Sequence, residues 1–329
     1  MPNDPRLRAG LRPAARSVAL VALLALAGGC DSGTLPPGAQ PAPPVPPVSA
    51  ASAPPSPSRP AEPLTTPSPA EPSAPVTPTP TYPPEIAIAS VVNFRDAAGA
   101  GAGLPLADGG HMVRGLVFRA AALETLSDAD LATLEDLGIT DVYDLRTPNV
   151  ARAHPDPKIG DAINHPINLW ATSTSKKTPG STAEKRLASR VKLSREFVTN
   201  APERERLARM LNSFAKVSGP VIVHCSEGKD RTGFVVAVLQ LVAGADQGAI
   251  MDEYLLSNQY REKLIDAAVA KAGRGKAEAT RMDLTLYPQQ LQASLDAIEA
   301  YGGIDAFLTK GAGLSSATVD ALRAKLTGP

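Results

Sequence analysis

The stretch HCSEGKDRTG, residues 224 to 233, sets one thiol among two carboxylates, two strong bases and two glycines. Dispersed, these residue types would mean little. Packed together, they describe either a loop with a stray thiol or a site where a thiolate meets an anion. Arg231 lies six positions after Cys225, so it can curl back and grip two oxygens of a bound oxyanion. Gly228 and Gly233 let the backbone turn tightly and come close to a ligand, and Ser226, Glu227 and Lys229 complete the candidate binding loop. A positive surrounding lowers a thiol's pKa, which makes Cys225 a candidate nucleophile at neutral pH. Beneath a phosphate monoester such a thiolate attacks phosphorus in line, and water later hydrolyses the cysteinyl-phosphate. Thr232 is placed to hydrogen-bond the sulfur as it leaves. His224 can orient the loop or support the thiolate. This chemistry needs no metal and no cofactor, and no His/Cys/Asp cluster has metal-ligand spacing.

The flanking sequence supplies the elements such a loop needs. Gly219-Pro220 introduces VIVH, a short apolar run of the kind found in a central parallel strand. GFVVAVLQLVAG follows the loop, apolar on nearly every side and closed by Gly244, and reads as a buried helix. The loop therefore joins a strand end to a helix N-terminus, where loop amides and the helix dipole favour an anion. LSDADLATLEDLG (126 to 138) is a helix with Ser127 as its cap and Gly138 as its stop. The strand ITDVYDLR follows and ends near Asp144 and Arg146. Charged helix begins near Glu203, and amphipathic helices are expected at 247–257, 259–272, 289–300 and 316–326. The expected fold is α/β, a central mostly parallel sheet flanked by helices. Residues 166 to 200 fit no strong pattern and read as a long irregular insert, either a lid over the site or a surface excursion.

The whole chain bounds the function further. Its 329 residues carry 33 Lys+Arg against 33 Asp+Glu, and only 4% are aromatic, so nothing favours a nucleic-acid partner. Composition shifts sharply along the chain. Residues 1–30 hold four arginines, then VALVALLALA (18 to 27), about ten residues and too short for a bilayer-spanning helix. The run ends in Ala-Gly-Gly-Cys, which resembles a bacterial lipoprotein signal with Cys30 as the lipidated residue. A plain secretory signal is the alternative. Residues 31–84 are Pro-rich and cannot bury enough apolar surface to fold, so they are expected to be a disordered tether. At about 3.1 Å per residue this tether reaches up to ~160 Å. Residues 85–329 remain as one catalytic domain. The expected location is the bacterial cell envelope, exported and held to a membrane by lipid.

The full string, with histidine before the cysteine and Gly-Lys-Asp-Arg-Thr-Gly after it, resembles the signature of the protein tyrosine phosphatase superfamily. A closer resemblance is to the bacterial tyrosine and lipid phosphatases of the mycobacterial secreted type. NFRDAAG (93 to 99), the run from GLVFRAAA to DVYDLRT, and MDEYLLSN (251 to 258) are similar to elements of that family, and the likeness covers nearly all of 86 to 329. It implies a metal-independent phosphatase acting on phosphotyrosyl protein, with dual specificity or phosphoinositide substrates as further options. It also implies Asp230, in the loop itself, as the general acid, with Asp144 as the alternative and a salt bridge as the other role for Asp144. Arg95 and Asp96 would organise the loop's surroundings. Lys229 resembles the extra cation of phosphatases that accept phosphoinositides. Glu227 pulls the other way if it faces the mouth, and matters little if it faces solvent.

Three functions are compatible with this reading. A cysteine-dependent protein tyrosine phosphatase comes first, and a phosphoinositide or inositol phosphate phosphatase shares its chemistry. A non-catalytic phosphate-binding lipoprotein would keep the fold and turn over nothing, but intact Cys225, Asp230 and Arg231 count against it. Sulfur-transfer enzymes also use a cysteine loop, without GKDRTG.

Overall fold

The computed structural model describes residues 85–169 and 182–328. The signal, the Pro-rich tether and Cys30 lie outside the described residues. In chain order the elements are β1 (Arg95–Asp96), β2 (Val117–Ala120), α1 (Asp128–Asp136), β3 (Asp141–Asp144), α2 (Pro148–Ala153), β4 (Ile163–Pro166), α3 (Ala183–Thr199), α4 (Ala201–Phe214), β5 (Val221–His224), α5 (Asp230–Ala243), α6 (Gln247–Tyr260), α7 (Glu262–Ala272), α8 (Ala277–Leu284), α9 (Pro288–Glu299), α10 (Ile304–Ala306), which runs on as a π-helical turn, and α11 (Ser316–Thr327). No described helix is long and apolar enough to cross a membrane.

The five strands form one sheet in the order β1-β2-β5-β3-β4. β1 runs antiparallel to β2, and the other pairs are parallel. VIVH is the central strand because both of its faces are covered. Val221 and Val223 join the larger core with Phe234, Val235 and Val238 of α5 and Leu211 of α4. Ile222 points the other way, into a second core with Phe118, Val142 and Leu134 of α1. Strand periodicity of two accounts for this division of neighbouring residues between opposite faces. The register sets Ala120, Asp144 and His224 abreast at the strand ends, which fixes the edge from which the cysteine loop springs.

Helix ends follow local chemistry. Ser127 Oγ accepts the Asp130 amide at 3.2 Å as the α1 cap. α5 stops at Gly244, which takes a left-handed conformation at φ 89°. The amphipathic patterns at 247–257, 259–272, 289–300 and 316–326 correspond to α6, α7, α9 and α11, with boundaries shifted by up to three residues.

Residues 166 to 200 are not the irregular insert expected. Their C-terminal half is α3, a regular 17-residue helix capped by Thr182, while residues 170–181 lie outside the described residues. The helix was hard to read because its N-terminal half buries little: the buried residues are Ser194, Phe197 and Val198. Phe197 stacks on Phe234 of α5 at 5.0 Å, and Ser294 Oγ of α9 donates to the Ser194 carbonyl at 2.7 Å.

Candidate active site

The loop between β5 and α5 is shaped by what its carbonyls touch. The Ser226 carbonyl accepts the Ala122 amide at 3.4 Å. The Glu227 carbonyl accepts Asn93 Nδ2 at 3.4 Å, and the Gly228 carbonyl accepts Asn93 Nδ2 at 2.8 Å and Arg119 Nη2 at 2.7 Å. Within a planar trans peptide the C=O and the following N–H point in opposite directions. Three carbonyls drawn toward the protein therefore turn the amides of Glu227, Gly228 and Lys229 the other way. That is an anion cradle.

The two glycines are required by space. Gly228 has φ 63°, and a Cβ there would lie 2.5 Å from the carbonyl carbon and oxygen of Ala120. A Cβ at Gly233 would meet the Tyr254 ring at 2.7 Å, so α5 approaches α6 only because residue 233 has no side chain.

Cys225 sits at the base of the loop, 2% exposed. Burial pushes its thiol pKa up, but Arg231, the Thr232 hydroxyl and the amides of Glu227 and Thr232 outweigh it, and the net shift is downward. Arg231 occupies the first turn of α5. Its Nη1 donates to the Leu145 carbonyl at 3.0 Å, which ties the guanidinium to the end of β3, and its Nη2 lies 3.4 Å from Ser226 Oγ. The structure thus brings together Cys225, Ser226, Arg231 and Thr232.

Asp230 opens α5. Its Oδ1 accepts Arg190 Nη2 of α3 at 3.2 Å and Gln290 Nε2 of α9 at 3.0 Å. Burial raises its pKa, but Lys229, Arg190 and Arg231 overcome this and hold it below the usual carboxylate range. Asp144 is also held low: burial opposes the shift, and hydrogen bonds from Arg146 dominate it, together with His224. Arg146 donates to both Asp144 oxygens at 2.9 Å and to Asp156 Oδ2 at 2.5 Å.

His224 is fully buried with Nε2 3.3 Å from Asp156 Oδ2 and 3.8 Å from Asp144 Oδ1. Asp144, Asp156 and His224 thus place potential ligand atoms within 4.8 Å of one another, a grouping invisible in the sequence spacing. The Arg146 guanidinium already pairs with both carboxylates there and occupies their oxygens with a positive charge, which works against a metal cation.

Lys229 and Glu227 are engaged with the protein. Lys229 is 4% exposed, and its ammonium donates to the Asp283 carbonyl at 2.9 Å and lies 3.0 Å from Glu227 Oε2. Glu227 Oε2 also accepts Arg261 Nη2 at 2.8 Å. Its carboxylate therefore faces two cations, the case between the two orientations considered from sequence. Asp96 accepts the Gly115 and Ala98 amides at 2.7 and 2.9 Å and organises the turn beside β1. Arg95 donates to Glu253 Oε1 at 2.8 Å, to Ser257 Oγ at 3.1 Å and to Asn93 Oδ1. Burial, and then the neighbouring Arg119, lower its pKa to about 10, so it stays charged at neutral pH.

Sequence reasoning missed Asn93 and Arg119 as residues holding the loop, Glu253 and Ser257 as their partners, and Arg190 and Gln290 as partners of Asp230. A signal existed for four of them. Asn93 lies in NFRDAAG, Arg119 in GLVFRAAA, and Glu253 and Ser257 in MDEYLLSN, all stretches already singled out.

A low-pKa thiol under inward-facing amides, beside an arginine at the head of a buried helix, defines a cysteine-based oxyanion site on an α/β scaffold. A family model described as the tyrosine phosphatase family matches residues 86–328, and the chain belongs to that family. It is similar to the triple specificity protein phosphatase PtpB of Mycobacterium tuberculosis, 32% identical over 277 residues that cover 72% of this chain and 96% of that protein. A tyrosine-protein phosphatase of Nostoc commune is 28% identical over 224 residues, covering 63% of this chain and 73% of the relative.

Proposed function

We propose that this enzyme hydrolyses phosphotyrosine in proteins through a cysteinyl-phosphate at Cys225. The observation that carries the reading is the buried Cys225 thiol, whose charged form is favoured by Arg231 and Thr232 against the opposing effect of burial. In the first step the S–P bond forms as the P–O bond to the phenol breaks, with Arg231 and the loop amides holding the phosphoryl oxygens. Asp230 gives its proton to the departing phenolate oxygen. Arrival of the phosphate dianion raises the Asp230 pKa by like-charge repulsion, which counters the lowering by Lys229 and Arg190 and loads the acid with its proton. In the second step a water oxygen bonds to phosphorus, its proton returns to Asp230, and the thiolate leaves toward the Thr232 hydroxyl.

Phosphoinositide turnover draws less support. The Lys229 ammonium that would meet a polyphosphorylated ring is committed to the Asp283 carbonyl and Glu227. The purified chain and its Cys225→Ser variant, assayed with chelator on a phosphotyrosyl peptide, an aryl phosphate and a phosphatidylinositol phosphate, test the proposal. Chelator-resistant turnover, lost in the serine variant and greatest on the peptide, is the expected result. A folded chain that binds phosphate and turns over none of the three would instead be a binding protein.

Export and lipidation at Cys30 belong to the same proposal and rest on the Ala-Gly-Gly-Cys ending of the signal and the Pro-rich stretch that follows. Incorporation of labelled palmitate in a bacterial host, lost in Cys30→Ala, is expected; equal labelling of the variant would refute lipidation at that residue.

A further inference from the structure

We propose that Asn93 and Arg119 form a buried donor fork that positions the anion cradle through the Gly228 carbonyl, with Glu253 holding the fork in place. The inference rests on the phosphatase reading above and adds to it residues that touch neither substrate nor thiol.

The two donors reach one acceptor from different elements. Arg119, fully buried in β2, donates to the Gly228 carbonyl at 2.7 Å; Asn93, just ahead of β1, donates to it at 2.8 Å. A carbonyl oxygen has two lone pairs, and here both are taken. The peptide plane between Gly228 and Lys229 therefore has a single orientation, with the Lys229 amide turned toward the anion. Gly228, at φ 63°, would otherwise be the freest joint of the loop.

The fork is itself fixed from α6. Glu253 is 4% exposed and accepts Arg119 Nη1 at 2.6 Å on one oxygen and Arg95 Nε at 2.8 Å on the other. Ser257, one turn on, accepts Arg95 Nη2 and Arg119 Nη2, each at 3.1 Å. Arg95 in turn donates to Asn93 Oδ1, which orients the amide so that its Nδ2 faces the loop. Two arginines against one glutamate leave one net positive charge directly behind the cradle. Such an arrangement exceeds what stability asks of a helix packed on a sheet, because two guanidinium groups are desolvated to hold one carbonyl.

The test uses Asn93→Gly and Arg119→Lys in the full chain. Glycine keeps the left-handed backbone of residue 93, at φ 63°, and removes only the amide. Lysine keeps the charge and cannot serve Glu253, Ser257 and Gly228 together. Each variant is measured for vanadate inhibition, for kcat and KM on p-nitrophenyl phosphate, for Cys225 alkylation by neutral iodoacetamide, and for thermal unfolding. Loss of the charge-assisted bond from Arg119 predicts vanadate affinity and kcat lowered by about 10- to 100-fold in Arg119→Lys, and loss of the neutral Asn93 amide bond lowers them by about 2- to 10-fold in Asn93→Gly, with alkylation by the neutral reagent retained in both. A merely structural role would instead lower melting temperature, alkylation and vanadate binding together, and that pattern in Asn93→Gly overturns the proposal. So do folded variants with parental vanadate affinity and kcat. If Arg119→Lys fails to fold, Asn93→Gly decides alone. A parent chain that neither binds vanadate nor hydrolyses the ester removes the phosphatase reading itself, whereas an active parent matched by its variants removes only the fork.

Discussion

Replacing Gly228 by alanine puts the loop geometry to a direct test. The added Cβ would stand 2.5 Å from the backbone carbon and oxygen of Ala120 and 2.7 Å from the Ala121 nitrogen, where ordinary contact begins near 3.4 Å. These neighbours are backbone, and Ala120 is paired with His224 at the strand end, so they cannot swing aside. The shortfall of about 0.9 Å, taken from those two distances, must be met by the loop moving outward. A displacement of roughly 1 Å in positioning groups lowers catalysis by about 100-fold, so kcat/KM on an aryl phosphate should fall by that order. The left-handed backbone adds a cost of about 1–2 kcal/mol for a residue with a Cβ, which corresponds to a melting temperature lower by roughly 2–8 °C in a domain of this size. Gly244→Ala separates the two effects. It carries the same backbone cost at φ 89°, but nothing lies within 4 Å of its Cβ, so it should lose stability and keep its activity. Parental kcat/KM in Gly228→Ala, or an equal loss in Gly244→Ala, would refute the reasoning.

Other outcomes follow from the charges around the thiol. Arg231→Met removes the largest influence holding the Cys225 pKa down and leaves only the Thr232 hydroxyl and the amides of Glu227 and Thr232 to oppose burial, which raises it. The pH midpoint of iodoacetamide alkylation should lie below the ordinary thiol value in the parent and higher in the variant; equal midpoints would show that Arg231 does not act on the thiol. Asp230→Asn should lower kcat by about 10²–10⁴-fold on phenyl phosphate, lower it less on nitrophenyl phosphate, and erase the alkaline limb of the pH profile, whereas the reverse ranking with Asp144→Asn would transfer the acid role. Because Asp230 is held below its unfolded value, its pairing stabilises the fold at neutral pH and is lost as pH falls through the depressed value. The asparagine variant should therefore lose part of the parent's acid-induced fall in melting temperature. Residues 85–329 contain one cysteine, so peroxide should inactivate the enzyme irreversibly on prolonged exposure, more slowly with bound phosphate, and full reactivation by thiol would contradict this.

The residues on which the proposed chemistry rests were legible in the sequence, because they are local. Cys225, Arg231, Thr232 and the two glycines lie within nine residues, and the apolar runs on either side reveal the central strand and the buried helix that present them. Boundaries marked by Ser127 and Gly244 were legible for the same reason, since a cap acts on its own helix turn. α3 was not legible, because a helix with few buried residues leaves a weak apolar period and its purpose lies in what it touches. Tertiary structure alone decided where the charges went. Arg119 and Asn93 meet the Gly228 carbonyl across 109 and 135 residues of chain, and Arg190 meets Asp230 across 40. It also turned Lys229 and Glu227 onto each other and their protein partners, burying the lysine while the glutamate side chain stays 42% exposed. Propensity and spacing act over a few residues, while a buried charge must be matched by whatever the fold brings beside it, and no local pattern records that pairing.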